Sequence, residues 1–299
     1  MELKAHRGAW SGAHPENSLA ALRECYAARV ARVEIDFRLQ GGEFVVAHDR
    51  PRKGRRVPRL REALDIVRFS PPGPTQLMLD AKDEAPWSRH DVETLARLCD
   101  DVRDRIFVGS PADWNLRRLR RVDGGLAIAF DPQYYLTWDR HVHALPGRHG
   151  AYGYQDAHPL ALRRTGSTAD YLRERFEMLL GAVTRIREVH LRLGFFERML
   201  QDDFDVAAFA HDAGVQVDVW TLDAGSRGWK TRLARAVAGG ADIVTTNTPR
   251  ELATQITAHG VASTSARHRA RNAARPATAR ARAASSVTSA VSQAVRPTT

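Results

Sequence analysis

The run Val33-Glu34-Ile35-Asp36-Phe37-Arg38-Leu39-Gln40-Gly41-Gly42-Glu43-Phe44-Val45-Val46-Ala47-His48 holds two extended segments with almost nothing between them. Only Gln40-Gly41-Gly42 separates Val33–Leu39 from Glu43–His48, whereas a parallel crossover needs about a dozen residues or more. The two segments therefore pair as an antiparallel hairpin turning at Gly41-Gly42. Counting back from the turn sets His48 roughly opposite Ile35. Glu34 and Asp36 flank Ile35 and, two apart on a strand, share one face. A histidine and two carboxylates thus converge, while Val33, Ile35 and Phe37 read as buried.

Outward from this hairpin, strands and helices alternate. Further strands are expected at Leu3–His6, Gln76–Ala81, Arg105–Gly109, Leu126–Phe130, Glu188–Leu193, Gln216–Thr221 and Asp242–Thr246. Helices are expected to begin near Pro15, Pro58, Trp87, Pro111, Ser167, Asp203 and Gly225. With Val33–Phe37 this gives eight strands separated by helices, which indicates a parallel α/β sheet and fits a closed (β/α)8 TIM barrel with a small β-hairpin after strand 2. The long segment Asp131–Thr168, rich in His, Tyr and Gly, reads either as a loop over the barrel mouth or as holding a further strand.

The 299 residues suit one such barrel of about 250 residues plus an extension. We divide the chain into a barrel domain, 1–260, and a tail, 261–299. Seven arginines and no acidic residue lie from Val261 onward, so the tail carries +7 of the net +10 and the barrel about +3. The tail is Ala/Arg/Ser/Thr-rich and too poor in large apolar side chains to offset its ordering entropy, so it reads as disordered. A dispensable or solubilising extension is the plain reading; weak contact with an anionic surface is the other, and no specific nucleic acid is expected. Apolar runs such as Leu126–Phe130 are far short of the ~20 residues that span a membrane. No secretory pattern opens the chain, and two cysteines, Cys25 and Cys99, suit a reduced compartment, so a cytoplasmic location is expected.

Several titratable residues fall at strand ends, where barrel enzymes build their sites. Taken singly each has a plainer role: His6 as a structural histidine, Glu34 and Asp36 in salt bridges to Arg7 or Lys82, Trp220 as barrel packing. Taken together, Glu34-x-Asp36 places two like charges on an interior face, which repel unless a cation lies between them. Asp80-x-Lys82 brings a third carboxylate and a lysine to the same mouth. All-oxygen ligands suit one Mg²⁺ or Ca²⁺ ion on Glu34, Asp36 and Asp80. Arg7 and Lys82 would hold phosphate oxygens, and His6 and His48 would serve as acid and base near neutral pH. This is the equipment of phosphoryl transfer. The histidines at 141, 143, 149 and 158 lack a supporting carboxylate triad and are read as belonging to a solvated loop.

These residues also resemble a known family. His6-Arg7-Gly8, Pro15-Glu16-Asn17-Ser18, Glu34-Ile35-Asp36 and Val45-Val46-Ala47-His48-Asp49 are similar in order and spacing to the N-terminal signature of the glycerophosphodiester phosphodiesterases. Looser similarity continues through Leu79-Asp80-Ala81-Lys82, Val219-Trp220-Thr221-Leu222 and Gly240–Pro249, covering about residues 3–255. The resemblance implies a TIM barrel, a divalent metal on Glu34, Asp36 and Asp80, catalytic His6 and His48, phosphate contacts from Arg7 and Lys82, and an aromatic substrate wall at Trp220. It also implies hydrolysis of a glycerophosphodiester to glycerol 3-phosphate and an alcohol through a cyclic phosphate. Two departures bear on substrate. Asp80 stands where most bacterial members carry Glu and related sphingomyelinase D-like phospholipases carry Asp, and the segment after Asp49 is short. The alternatives are a phospholipase D-like enzyme acting on lysophospholipid or sphingomyelin head groups, with Arg52, Lys53, Arg55 and Arg56 near them, and, in a different class, a non-catalytic phosphate- or nucleic-acid-binding protein.

Overall fold

The computed structural model describes residues 1–52, 54, 56–138, 148–163 and 166–258. Its strands are β1 (Glu2–Ala5), β2 (Arg32–Gln40), β3 (Glu43–Val46), β4 (Gln76–Ala81), β5 (Ile106–Ser110), β6 (Ile128–Phe130), β7 (Leu136–Thr137), β8 (Arg148–His149), β9 (Gln155–Asp156), β10 (Glu188–Arg192), β11 (Gln216–Trp220) and β12 (Ile243–Thr246). Its α-helices are α1 (Leu19–Ala27), α2 (Leu60–Phe69), α3 (Arg89–Cys99), α4 (Asp113–Val122), α5 (Thr168–Ala182), α6 (Leu193–Gln201), α7 (Val206–Asp212), α8 (Trp229–Ala238) and α9 (Pro249–Ala258). The proposed tail, 261–299, lies outside the described residues.

Eight parallel strands run in the order β1-β12-β11-β10-β6-β5-β4-β2, and pairing of β1 with β2 closes the ring into a (β/α)8 barrel. The ninth strand of the sheet, β3, pairs antiparallel to β2 with Phe37 opposite Val46 and Gln40 opposite Glu43. The expected hairpin is therefore present in the expected register. It turns on Gly41 and Gly42, whose φ values of 59° and 82° lie in the left-handed region that glycine adopts without strain. Phe37, Phe44 and Trp87 lock it to the barrel wall, the Phe37–Phe44 and Phe44–Trp87 ring centroids each being 5.7 Å apart.

Outward-facing strand residues such as Val33, Ile35, Leu77, Leu79, Val108 and Val217 are buried beneath the helices. Helix α2 shows how the shell is held. Leu60, Ala63, Leu64 and Val67, spaced three to four apart, form one wholly buried stripe. Burying a leucine of this kind contributes about 1.5–3 kcal/mol. Helix α5 starts where Ser167 suggested: Ser167 Oγ accepts from the Asp170 N–H and Asp170 Oδ2 from the Ser167 N–H, a reciprocal cap.

The floor inside the barrel is ionic. Lys4 Nζ lies 2.9 Å from Glu188 and 2.7 Å from Asp218, Glu188 accepts from Arg32, and Thr245 donates to Asp218 at 2.9 Å. Burial alone would discharge Lys4, yet Asp218 and Glu188 outweigh it and raise the amine above its usual range.

Two expectations need correction, and one left open is resolved. His6 does not end the first strand; β1 stops at Ala5 and His6–Gly8 form a short 3-10 turn, because Arg7 takes a left-handed conformation (φ 52°, ψ 29°). The strand Glu188–Leu193 gives way to helix α6 at Leu193 with no intervening loop, and neither α6 nor α9 was foreseen. Within Asp131–Thr168 the described residues include three strands of two residues each, forming a separate antiparallel sheet in the order β7-β9-β8. Among the described residues no helix is long and apolar enough to cross a membrane.

Candidate active site

The parallel register of β2 on β4 sets Asp36 beside Asp80 and Glu34 beside Met78. Because alternate residues face inward, Glu34, Asp36 and Asp80 meet at the carboxyl ends of adjoining strands, with one ligand oxygen from each within 4.8 Å of the others. The left-handed turn at Arg7 then folds the chain over them. The Arg7 N–H donates to Glu34 Oε2 at 2.7 Å, Arg7 Nε lies 3.0 Å from Asp36 Oδ2, and Arg7 Nη1 reaches Glu16 at 2.8 Å. Gly8, with φ 71°, lets the turn lie against α1, where a Cβ would already touch Ala21 Cβ at 3.4 Å.

Glu16 and Asn17 have distinct tasks. Ser18 caps α1 by accepting from the Ala21 N–H, which frees Asn17. Asn17 Nδ2 donates to Asp36 Oδ2 at 2.7 Å and Asn17 Oδ1 accepts from the Asp36 N–H at 2.9 Å, fixing the carboxylate plane. Lys82 Nζ sits between carboxylates, 2.9 Å from Asp36 Oδ1 and in contact with Asp80 Oδ2. Of the salt bridges considered from sequence, Asp36 therefore makes both, to Arg7 and to Lys82.

Three carboxylates against two cations leave one negative charge over, and it falls on Glu34. Its burial, reinforced by Asp36 and Asp80, pushes the acid well above the usual carboxylate range. Burial would raise Asp36 too, but Lys82, Asn17 and Arg7 together hold it below its ordinary value. Lys82, despite burial, is raised by Asp80, Asp36 and Glu34. Among the described residues Glu34 Oε1 is a buried carboxylate oxygen with no hydrogen-bond partner. An orphaned carboxylate oxygen among hard oxygen donors is what a divalent cation satisfies, so the residues fit a metal.

His6 and His48 enter from opposite sides. His6 Nε2 is 3.9 Å from Glu34 Oε2, and His6 Nδ1 is 2.7 Å from Asn247 Oδ1. Asn247 is itself oriented, its Nδ2 donating to Asp223 Oδ2 at 2.9 Å and its N–H to Asp223 Oδ1 at 2.7 Å. With its amide nitrogen so engaged, Asn247 offers only oxygen, which requires hydrogen on His6 Nδ1 and leaves Nε2 unprotonated toward the carboxylates. Burial lowers the His6 pKa against the opposing pull of Asn247, favouring the neutral ring. His48 follows the end of β3 on the more exposed rim, its Nδ1 2.9 Å from Asp49 Oδ1. The ladder stops at Val46, after which the Ala47 N–H donates to Asp36 O at 3.1 Å.

A cavity of about 500 Å³ joins these groups. His6, Arg7, Glu34, His48, Asp80, Lys82 and Trp220 all line it, while Asp36 lies buried just behind. The structure thus brings the eight residues given catalytic, phosphate or metal roles from the sequence to one place. It adds others that the sequence did not single out. Asp131, at the end of β6, lines the wall, and burial pushes its acid up to about 7. Tyr134 lines the mouth, stacked on Trp114 with centroids 6.3 Å apart. His190 and Asp218 form the floor with Glu188, but there Lys4 already supplies the cation. Asp223 and Asn247 follow β11 and β12, positions at strand ends that carried the only available signal.

Other sequence candidates fall elsewhere. His141 and His143 lie outside the described residues, as do Lys53 and Arg55, and the side chain of His149 is likewise not described. His158 Nδ1 accepts the Leu160 N–H at 3.1 Å in a local turn, and among the described residues it joins no metal-competent group.

No protein-family model and no curated protein sequence matches the chain. Solved structures do. The glycerophosphodiester phosphodiesterase of Parabacteroides distasonis superposes with a TM-score of 0.60 at 15% identity, covering 87% of this chain and 98% of its own. An Oleispira antarctica phosphodiesterase in complex with the product sn-glycerol-3-phosphate gives 0.55 at 17% identity, covering 86% and 97%. The glycerophosphodiester phosphodiesterase of Thermotoga maritima gives 0.52 at 19% identity, covering 85% and 97%. The barrel of this chain is the fold that these phosphodiesterases share.

Proposed function

We propose that the chain is a metal-dependent glycerophosphodiester phosphodiesterase, releasing glycerol 3-phosphate and an alcohol. The observation that carries this reading is the single cavity in which two histidines face a buried carboxylate cluster and two cations, Arg7 and Lys82. Glu34, Asp36 and Asp80 would hold one Mg²⁺ or Ca²⁺, which when bound would neutralise charge developing on phosphate oxygens. The Arg7 and Lys82 side chains would hold the remaining oxygens. His6 Nε2 would take the proton of the glycerol 2-hydroxyl, whose oxygen attacks phosphorus, while His48 protonates the departing alkoxide. The P–O bond to the alcohol breaks as the cyclic phosphate forms. In the second half His48 would take a proton from water, and His6 would return one to the 2-oxygen as the ring opens to the monoester. Trp220 would wall the substrate on the far side. Buried free cysteines at 25 and 99 support a cytoplasmic setting.

The test is enzymatic release of glycerol 3-phosphate from glycerophosphocholine and glycerophosphoethanolamine with Mg²⁺, Ca²⁺ or EDTA. Release with metal and none with EDTA is expected. Activity confined to lysophosphatidylcholine would move the assignment to a phospholipase D-like enzyme, and inactivity on all three would favour a non-catalytic binding protein.

A further inference from the structure

Beyond the reaction cavity lies a second one, of about 840 Å³, on the same carboxyl-terminal face of the barrel. The two share Trp220 and Thr221, so one residue pair separates them. The second cavity is lined by five arginines, Arg192, Arg198, Arg227, Arg232 and Arg235, against a single carboxylate, Glu197, among the described residues. Their order is graded. Arg232 is held by Glu197 at 3.0 Å, Arg198 by Asp202 at 2.7 Å and over the Trp138 ring at 5.1 Å, and the Arg192 guanidinium lies 5.8 Å from the Trp220 ring centre. Arg227, on the loop after β11, and Arg235, on α8, are exposed and make no ion pair among the described residues.

Unshared guanidiniums beside a groove wide enough for a polyatomic ligand make an anion receptor, since each offers a planar fork of donors to a phosphate or carboxylate. Phosphate sites in this fold frequently lie on the loop after the seventh barrel strand, which is where Arg227 stands.

We propose that this arginine groove is a second anion subsite. It receives a phosphate-like group carried by the leaving alcohol, on the far side of Trp220 from the reacting phosphorus. Preferred substrates are then diesters with an additional terminal phosphate. The assignment of that group to the substrate rests on the phosphodiesterase reading; the binding of anions by the groove does not.

The double variant Arg227→Gln/Arg235→Gln tests it, because both side chains are exposed and their loss leaves the core untouched. Two measurements are made on the full chain: tryptophan fluorescence titration with inorganic pyrophosphate, and kcat/KM for glycerophosphocholine against a glycerophosphodiester whose leaving glycerol bears a terminal phosphate. Pyrophosphate affinity is expected to fall about tenfold in the variant, as loss of charge-assisted hydrogen bonds predicts. The wild-type preference for the doubly anionic diester is expected to collapse with it. Unchanged pyrophosphate affinity would overturn the subsite. Arginine-dependent pyrophosphate binding without any diester preference would overturn the substrate assignment and make a free anion the ligand. If neither diester is cleaved, the phosphodiesterase reading fails and the titration alone decides the groove.

Discussion

Replacing Lys82 by Met leaves three carboxylates facing one another with only Arg7 among them. Lys82 Nζ stands 2.9 Å from Asp36 Oδ1 and also contacts Asp80, and the Asp36 side chain is wholly buried. At that separation one ion pair amounts to about 6 kcal/mol at an effective dielectric of ~20, offset in part by the cost of desolvating the ammonium. Removing one partner of such a buried pair costs about 3–5 kcal/mol, because a carboxylate stays behind without its counter-charge. For a domain of this size that lowers Tm by roughly 10 °C. A divalent cation on the same oxygens should return much of the loss, about 2.7 kcal/mol at a concentration of ~100 times Kd. Urea denaturation of wild type and Lys82→Met, each with EDTA and with Ca²⁺ or Mg²⁺, reads both effects. The variant is expected to be much the weaker in EDTA and to gain more from metal. A variant within ~0.5 kcal/mol of wild type in EDTA, or one indifferent to metal, would refute the view that these carboxylates are a strained cation site.

Other outcomes follow from the same geometry. With His6 as the proposed base, kcat/KM should hold above its lowered pKa and fall as pH drops through it, with an acidic limb below the ~6.5 of free histidine; Asn247→Ala, removing the bond that raises the pKa, should move the limb lower still. Asn17→Ala should lower kcat about tenfold with little change in the core, since it frees the Asp36 carboxylate to rotate, and Asn17→Asp should not rescue it, because like charges would then meet. Lys4, then His190 and Arg32, overcome the burial of Glu188 and hold its acid well below the ordinary range. Its folded pKa is depressed, so the stability it contributes is present above the unfolded value of ~4.3 and lost as pH falls below it. Urea midpoints should therefore drop below about pH 4, and less steeply in Lys4→Met.

Much of the barrel was legible because its signals are local. Three residues between Leu39 and Glu43 admit only a hairpin, and that spacing alone set His48 near Glu34 and Asp36. Where the signal is not local, reading fell short. Arg7 is left-handed because its N–H caps Glu34, a contact that only the folded chain possesses, so His6 was assigned one residue too far into the strand. Helix α6 follows β10 without a turn residue to mark the change, and the two-residue strands of the small sheet are too short to show alternation. Lys4 in β1 carries no local sign of burial; its partners Glu188 and Asp218 lie far along the chain. Asp223 and Asn247, which set the His6 tautomer, come from different loops and carry no shared motif.

The central claim is that the cavity cleaves phosphodiesters with His6 and His48 as its proton-transfer pair. Its most direct test is a ³¹P NMR time course of glycerophosphocholine with purified protein and Ca²⁺ or Mg²⁺, run beside His48→Ala. Replacement of the diester resonance by that of a monoester, directly or after a cyclic phosphate, with a rate about 10²–10⁴ lower in the variant, is the predicted result. A diester that disappears equally fast with His48→Ala, or not at all in the wild type, would contradict it.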